Sequence, residues 1–191
     1  MKIRQSVFET NSSSMHSLVI AKNGHIQEIQ EILEHKYIGK KGIYNVWDSE
    51  IDFDRSPFKV LNNAIDKLLY LIADAKTDDD RKELIDMFLN IYPDIKGIKF
   101  PKEYSDDEKI SYGYVDHQSN GFVTNYLKTN NISPKDFVTN TKYSVIIDGD
   151  EYGEWENFKR SGLVDISKIE VDINPWTAKS KTYEDEYESE E

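Results

Sequence analysis

Helical and strand patterns are interspersed along this chain, but the helices come in adjacent pairs, and this predicts an α+β fold. Two further observations support that class. The run Tyr143 to Asp148 is rich in β-formers, and Ile169, Val171 and Ile173 alternate strictly with charged residues, as in a strand with one wet face. A doubly wound sheet would need stricter strand–helix alternation. The expected architecture is a small, mostly antiparallel sheet with helices packed on one side. A single domain is expected over residues 1–177, followed by a disordered acidic tail over 178–191.

Taken in order, residues 17–21 read as a strand and Asn23-Gly24 as a turn. Residues 25–36 place Ile26, Ile29, Ile32 and Leu33 at helical spacing. A turn over 39–42 leads into a short strand over 43–47. Ser56-Pro57 reads as a helix start, and the helix it opens carries Leu61, Ile65, Leu68 and Ile72 on one face. Thr77 followed by three aspartates caps the next helix and sets negative charge at its positive end. Its buried stripe is Leu84, Phe88 and Ile91, and Pro93 follows its end. Residues 95–107 have little periodicity and read as an exposed loop, and 111–115 as a strand running into Asp116-His117. A short helix is expected over 122–127. Another starts at Ser133-Pro134, with Asp136 completing its cap. After the strand over 143–148, Asp148-Gly149 signals a turn and 152–158 a returning strand. Pro175 stops the last strand.

Composition excludes several function classes. With no cysteine among 191 residues, disulfides, thiolate metal sites and cysteine nucleophiles are impossible. The formal net charge is −12, and the last nine residues, YEDEYESEE, hold six acids. That balance argues against nucleic-acid binding by bulk charge, although not against a local basic patch. No run approaches a membrane span and no secretory leader pattern opens the sequence, so a cytoplasmic protein without membrane contact is expected. The phosphate-binding and dinucleotide-binding glycine motifs and the G-x-S-x-G elbow do not occur.

The opening residues, MKIRQSVFETNSSSMHSL, gather chemistry into a short span that runs straight into apolar residues 18–20. Arg4 is suited to a bidentate grip on a phosphate. Asn11, Ser12, Ser13 and Ser14 suit a turn whose hydroxyls and backbone N–H groups face an anion. His16 titrates near working pH and suits general acid–base work, with Glu9 beside it in sequence. The bland alternative is a serine-rich turn and a Glu9–Arg4 pair. A second cluster is Asp116-His117-Gln118-Ser119, where the Asp would orient the ring and Ser119 would join the phosphate contacts. Its bland alternative is an ordinary polar turn. Together, His16 and His117 could serve as base and acid across a phosphodiester. With Glu9 and Asp116 they could instead hold a divalent metal. His117-Gln118-Ser119 has the H-x-[ST] form of the two-histidine phosphoesterases, but His16-Ser17-Leu18 does not. The acids at 148, 150 and 151 lack calcium-loop spacing and read as a hairpin turn.

Two blocks also carry a resemblance. Lys2-Ile3-Arg4 with residues 8–14 and His16-Ser17 resembles the FETNSSS-x-HS opening of uncharacterised proteins from phages and mobile elements of Gram-positive bacteria. Residues 113–119, GYVDHQS, resemble their second block, and residues 66–71 show a vaguer likeness. The resemblance implies origin rather than chemistry. It points to a host-takeover or anti-defence accessory protein, and the site residues above make RNA or DNA the expected substrate of a nuclease-like site. The alternative is a non-catalytic acidic inhibitor of a basic nucleic-acid-binding host or defence protein. An anti-CRISPR protein blocking a Cas9–guide RNA complex would be one case.

Overall fold

The computed structural model describes residues 15–20, 42–54, 59–116, 120–140, 143–148 and 169–173. The fold is α+β, as the paired helices and alternating strands predict. Its largest sheet has four strands: β1 (Met15–Ile20), β4 (Lys59–Leu61), β9 (Tyr143–Asp148) and β10 (Ile169–Ile173). Their spatial order is β10-β1-β9-β4, and every neighbouring pair is antiparallel. Three two-stranded pairs accompany it among the described residues. β2 (Ile43–Asn45) runs parallel to β5 (Gly97–Lys99), and β3 (Asp52–Phe53) parallel to β8 (Tyr114–Val115). β6 (Lys102–Glu103) and β7 (Asp106–Ile110) form an antiparallel hairpin.

The central helix α1 (Ala64–Asp74) follows β4 after Asn63, whose side chain accepts from the Asp66 N–H at 2.9 Å. It is buried on nearly all sides, and its buried residues are apolar except for Lys67 and Asp74. α2 (Asp78–Ile91) packs on it across a short connection and shows its acidic first turn to solvent. Thr77 Oγ1 accepts from the Asp80 N–H at 3.1 Å, so the predicted cap forms. α3 (Phe122–Thr129) and α4 (Pro134–Thr139) complete the helical part. Ser133 Oγ accepts from the Asp136 N–H at 3.0 Å, again as predicted. Buried apolar residues from β2 through β9 form one cluster, with Leu68, Tyr70, Phe53, Phe137, Val145 and Ile147 at its centre.

Three expectations need correction. Residues 59–61 form an edge strand, and the helix begins only at Ala64. Pairing of Val60 with Ile146 and Leu61 with Val145 outweighs the helical periodicity there, and Asn63 supplies the actual cap. Residues 95–107 are not an exposed loop. They hold β5, β6 and the start of β7, and Ile95 and Phe100 are buried. The expected strand over 111–115 is reduced to β8, because Gly113 takes φ +89° and bends the chain just before it. The helix expected over 25–36, the returning strand over 152–158 and the tail over 178–191 lie outside the described residues.

Candidate functional site

Strand β1 carries the end of the N-terminal block into the middle of the sheet. Position 16 lies opposite Ile147 of β9 and Ile173 of β10. Directly opposed residues of antiparallel strands share a face. Position 16 therefore shares a face of the sheet with Ile147, which is fully buried. Ile147 also pairs with Lys59 of β4. Residues 173, 16, 147 and 59 therefore form one row, and at about 4.8 Å per strand the backbones at 16 and 59 are about 10 Å apart.

Lys59 closes that row and links it to the next element. Its Nζ donates to the Ser49 carbonyl at 2.8 Å and to the Asp52 carbonyl, and it stands 5.1 Å from the Phe53 ring centroid. Burial lowers its pKa, opposed by the carboxylates of Asp52, Asp66 and Glu50. Phe53 packs edge-on to Tyr70 at 5.1 Å, and its carbonyl accepts from the Asp116 N–H at 3.2 Å. Asp116 thus leaves β8 held against β3, the strand that Lys59 fastens to the sheet. Asp116 is fully buried. A carboxylate with no exposed surface is better suited to hold a neighbouring group than to meet a ligand from solvent.

Of the other sequence-derived candidates, Arg4, Glu9, Asn11, Ser12, Ser13, Ser14, His117 and Ser119 lie outside the described residues. For His16 the backbone alone is described. Among the described residues no three His, Asp or Glu side chains come together to hold a metal. No described helix is long and apolar enough to cross a membrane.

Two buried polar residues of α1 carry no functional expectation from sequence. Lys67 is fully buried, and its Nζ donates to the carbonyls of Phe137, Asn140 and Tyr143 at 2.9, 2.9 and 3.0 Å. Desolvation lowers its pKa to about 8. All three ammonium protons are engaged, so Lys67 joins the end of α4 to the start of β9 and is unsuited to nucleophilic work. Asp74 lies two turns along the helix. It accepts from the Gly121 N–H at 2.5 Å and from Thr124 Oγ1 at 2.6 Å. Gly121, at φ +84°, has no side chain with which to cap α3, and Asp74 supplies that cap from another helix. The available signal was a charge interrupting an apolar helix at positions seven apart.

Comparison of the chain with family models, with curated proteins and with solved structures yields no match.

Proposed function

We propose that this chain handles a phosphodiester at a composite site formed by the N-terminal block and the Asp116-His117 block. His16 and His117 exchange protons with the substrate. Arg4, Asn11, residues 12–14 and Ser119 bind the phosphate. Glu9 and Asp116 position the imidazoles, or join them around a divalent metal. One observation carries this reading: the row containing position 16 ends at Lys59, and Lys59 fastens the strand that holds Asp116. The buried setting of Asp116 supports a positioning role. In keeping with the resemblance of its two blocks, the protein would serve a phage or mobile element in the bacterial cytoplasm.

The test is to incubate purified chain with RNA, with DNA and with an activated phosphodiester, with and without chelator. Cleavage should fall by about 10²–10⁴-fold in His16→Ala and in His117→Ala, with the circular dichroism spectrum unchanged. Chelator sensitivity would select the metal-assisted variant. Absence of cleavage in every condition overturns the reading.

A second reading is favoured by α2, where Asp79, Glu83 and Asp86 are exposed. Carboxylates so displayed suit a non-catalytic inhibitor that covers a basic nucleic-acid channel, such as that of a Cas9–guide RNA complex. A stable stoichiometric complex without cleavage would establish it. Replacing these three acids by amides should then weaken the complex, most strongly at low salt.

A further inference from the structure

The end of α1, the first half of α2, α3 and the α3–α4 turn border a cavity of about 480 Å³, a volume within the range of small-molecule sites. Leu71, Leu84, Met87, Leu127 and Ile132 give it an apolar floor. Leu71 and Leu127 are core residues and the other three pack against the core, so the floor is anchored from beneath.

Six charged side chains border that floor, and they are sorted by wall. Asp74, Asp80 and Glu83 stand on α1 and α2, with Lys76 in the link between those helices. Lys128 stands in the last turn of α3 and Lys135 in the first turn of α4. The rim is neutral as a whole, but the α1–α2 wall has a surplus of carboxylates and the α3–α4 wall has only cations. Asp74, at 3% exposure, is the most deeply set of the six. Its donors, the Gly121 N–H and Thr124 Oγ1, are neutral and leave its charge in place, and among the described residues no cation pairs with it. A buried carboxylate in that state favours an incoming ammonium. Lys128 lies four residues beyond Thr124, about 6 Å further along α3. A lone anion or a lone cation would be attracted by one wall and repelled by the other. A neutral apolar molecule would gain nothing from either. A zwitterion with an apolar body gains at both.

From this we infer that the cavity binds a short peptide with free ends and apolar side chains, in the simplest case a dipeptide. At about 3.3–3.6 Å per residue, an extended dipeptide sets its amine about 7 Å from its carboxylate, close to the rise from Thr124 to Lys128. A single amino acid, whose two charges are adjacent, is too short to serve both walls. The ammonium would face Asp74 and Glu83, the carboxylate would meet Lys128 and Lys135, and the side chains would lie on Leu84, Met87 and Leu127. The site is separate from the proposed phosphodiester site and does not depend on it.

The experiment titrates the full chain by calorimetry with leucyl-phenylalanine in four forms: free, N-acetylated, C-amidated and capped at both ends. The expected result is saturable one-to-one binding that is tightest for the free dipeptide. Capping either end should weaken it by about threefold to fivefold, and capping both should weaken it further. The double variant Lys128→Glu/Lys135→Glu changes only exposed side chains. It should weaken the free and N-acetylated forms and leave the C-amidated form no weaker. Glu83→Lys should do the reverse, weakening the free and C-amidated forms and sparing the N-acetylated one. Met87→Trp fills the cavity and should abolish saturable binding of all four while the thermal melt stays cooperative. Should that variant fail to fold, the charge variants still decide. No saturable binding, a doubly capped form that binds as well as the free dipeptide, loss on capping one end only, or a double lysine variant with unchanged preferences would each overturn the inference.

Discussion

Lys67 shows how much structure one side chain can hold. Three carbonyls from two elements converge on its ammonium. Replacing it with Met keeps the apolar stem but leaves those carbonyls without a donor in a dry site. Lys67→Met should therefore lose about 2–4 kcal/mol of stability in urea titrations. Lys67→Arg should not rescue it, because a planar guanidinium cannot aim donors at three converging acceptors. Its neighbour Asp66 is a different case. Desolvation raises its pKa from 3.8 to about 6, against the hydrogen bond from Asn63. A raised carboxyl pKa means the folded state holds the proton more tightly than the unfolded chain. Its contribution is present below pH 3.8 and is lost as pH rises through about 6. Asp66→Asn should flatten the fall in stability between those values. An undiminished slope in chemical denaturation at stepped pH would show that other groups control it.

Elements whose signals are local were legible in the sequence, and those that depend on a distant partner were not. Thr77 and Ser133 each bond a backbone N–H three residues on, so their helices can be read from a few letters. β9 and β10 announce themselves by β-branched and alternating residues. β4 does not, because it is a strand only by pairing with residues more than eighty positions later. β5 escapes notice likewise: Ile98 is a strand residue because Tyr44 lies beside it. Gly113 marks the bend before β8. A Cβ there would lie 2.2 Å from the Ile51 carbonyl oxygen and 2.6 Å from the Ile51 Cβ, at φ +89°. Gly113→Ala should separate β8 from β3 and cost at least about 2 kcal/mol. Amide exchange should accelerate at Tyr114 and Asp116, whose N–H groups bond to β3 and the residue before it. Unchanged exchange there would contradict the account.

At the scale of the whole molecule, net charge sets one response. A chain at −12 repels itself when folded, and counterions relieve that repulsion within a Debye length of about 10 Å at 0.1 M salt. Raising sodium chloride from about 0.02 M to about 0.5 M should raise the melting temperature by a few degrees. A fall would mean that attractive ion pairs dominate instead. Of the candidate site, residue types were legible and placement was not. Nothing near His16 in sequence indicates that its strand runs between β9 and β10. Nor does anything near Asp116 indicate that its carboxylate is buried. Both facts arise from pairings across long stretches of chain, which local periodicity does not encode.

That strand order also has a consequence for how the chain is born. Among the described strands β1 leaves the ribosome earliest, and its two partners, β9 and β10, follow more than a hundred residues later. Until residue 148 is outside the exit tunnel both hydrogen-bonding edges of β1 lack their partner strands, and until residue 173 is outside, one still does. Helices α1 and α2 can pair meanwhile, because their contacts are close in sequence. The earliest of the described strands is therefore among the last to be enclosed. During translation Leu18-Val19-Ile20 is an apolar stretch that waits for its partner strands and would gain from a chaperone's cover.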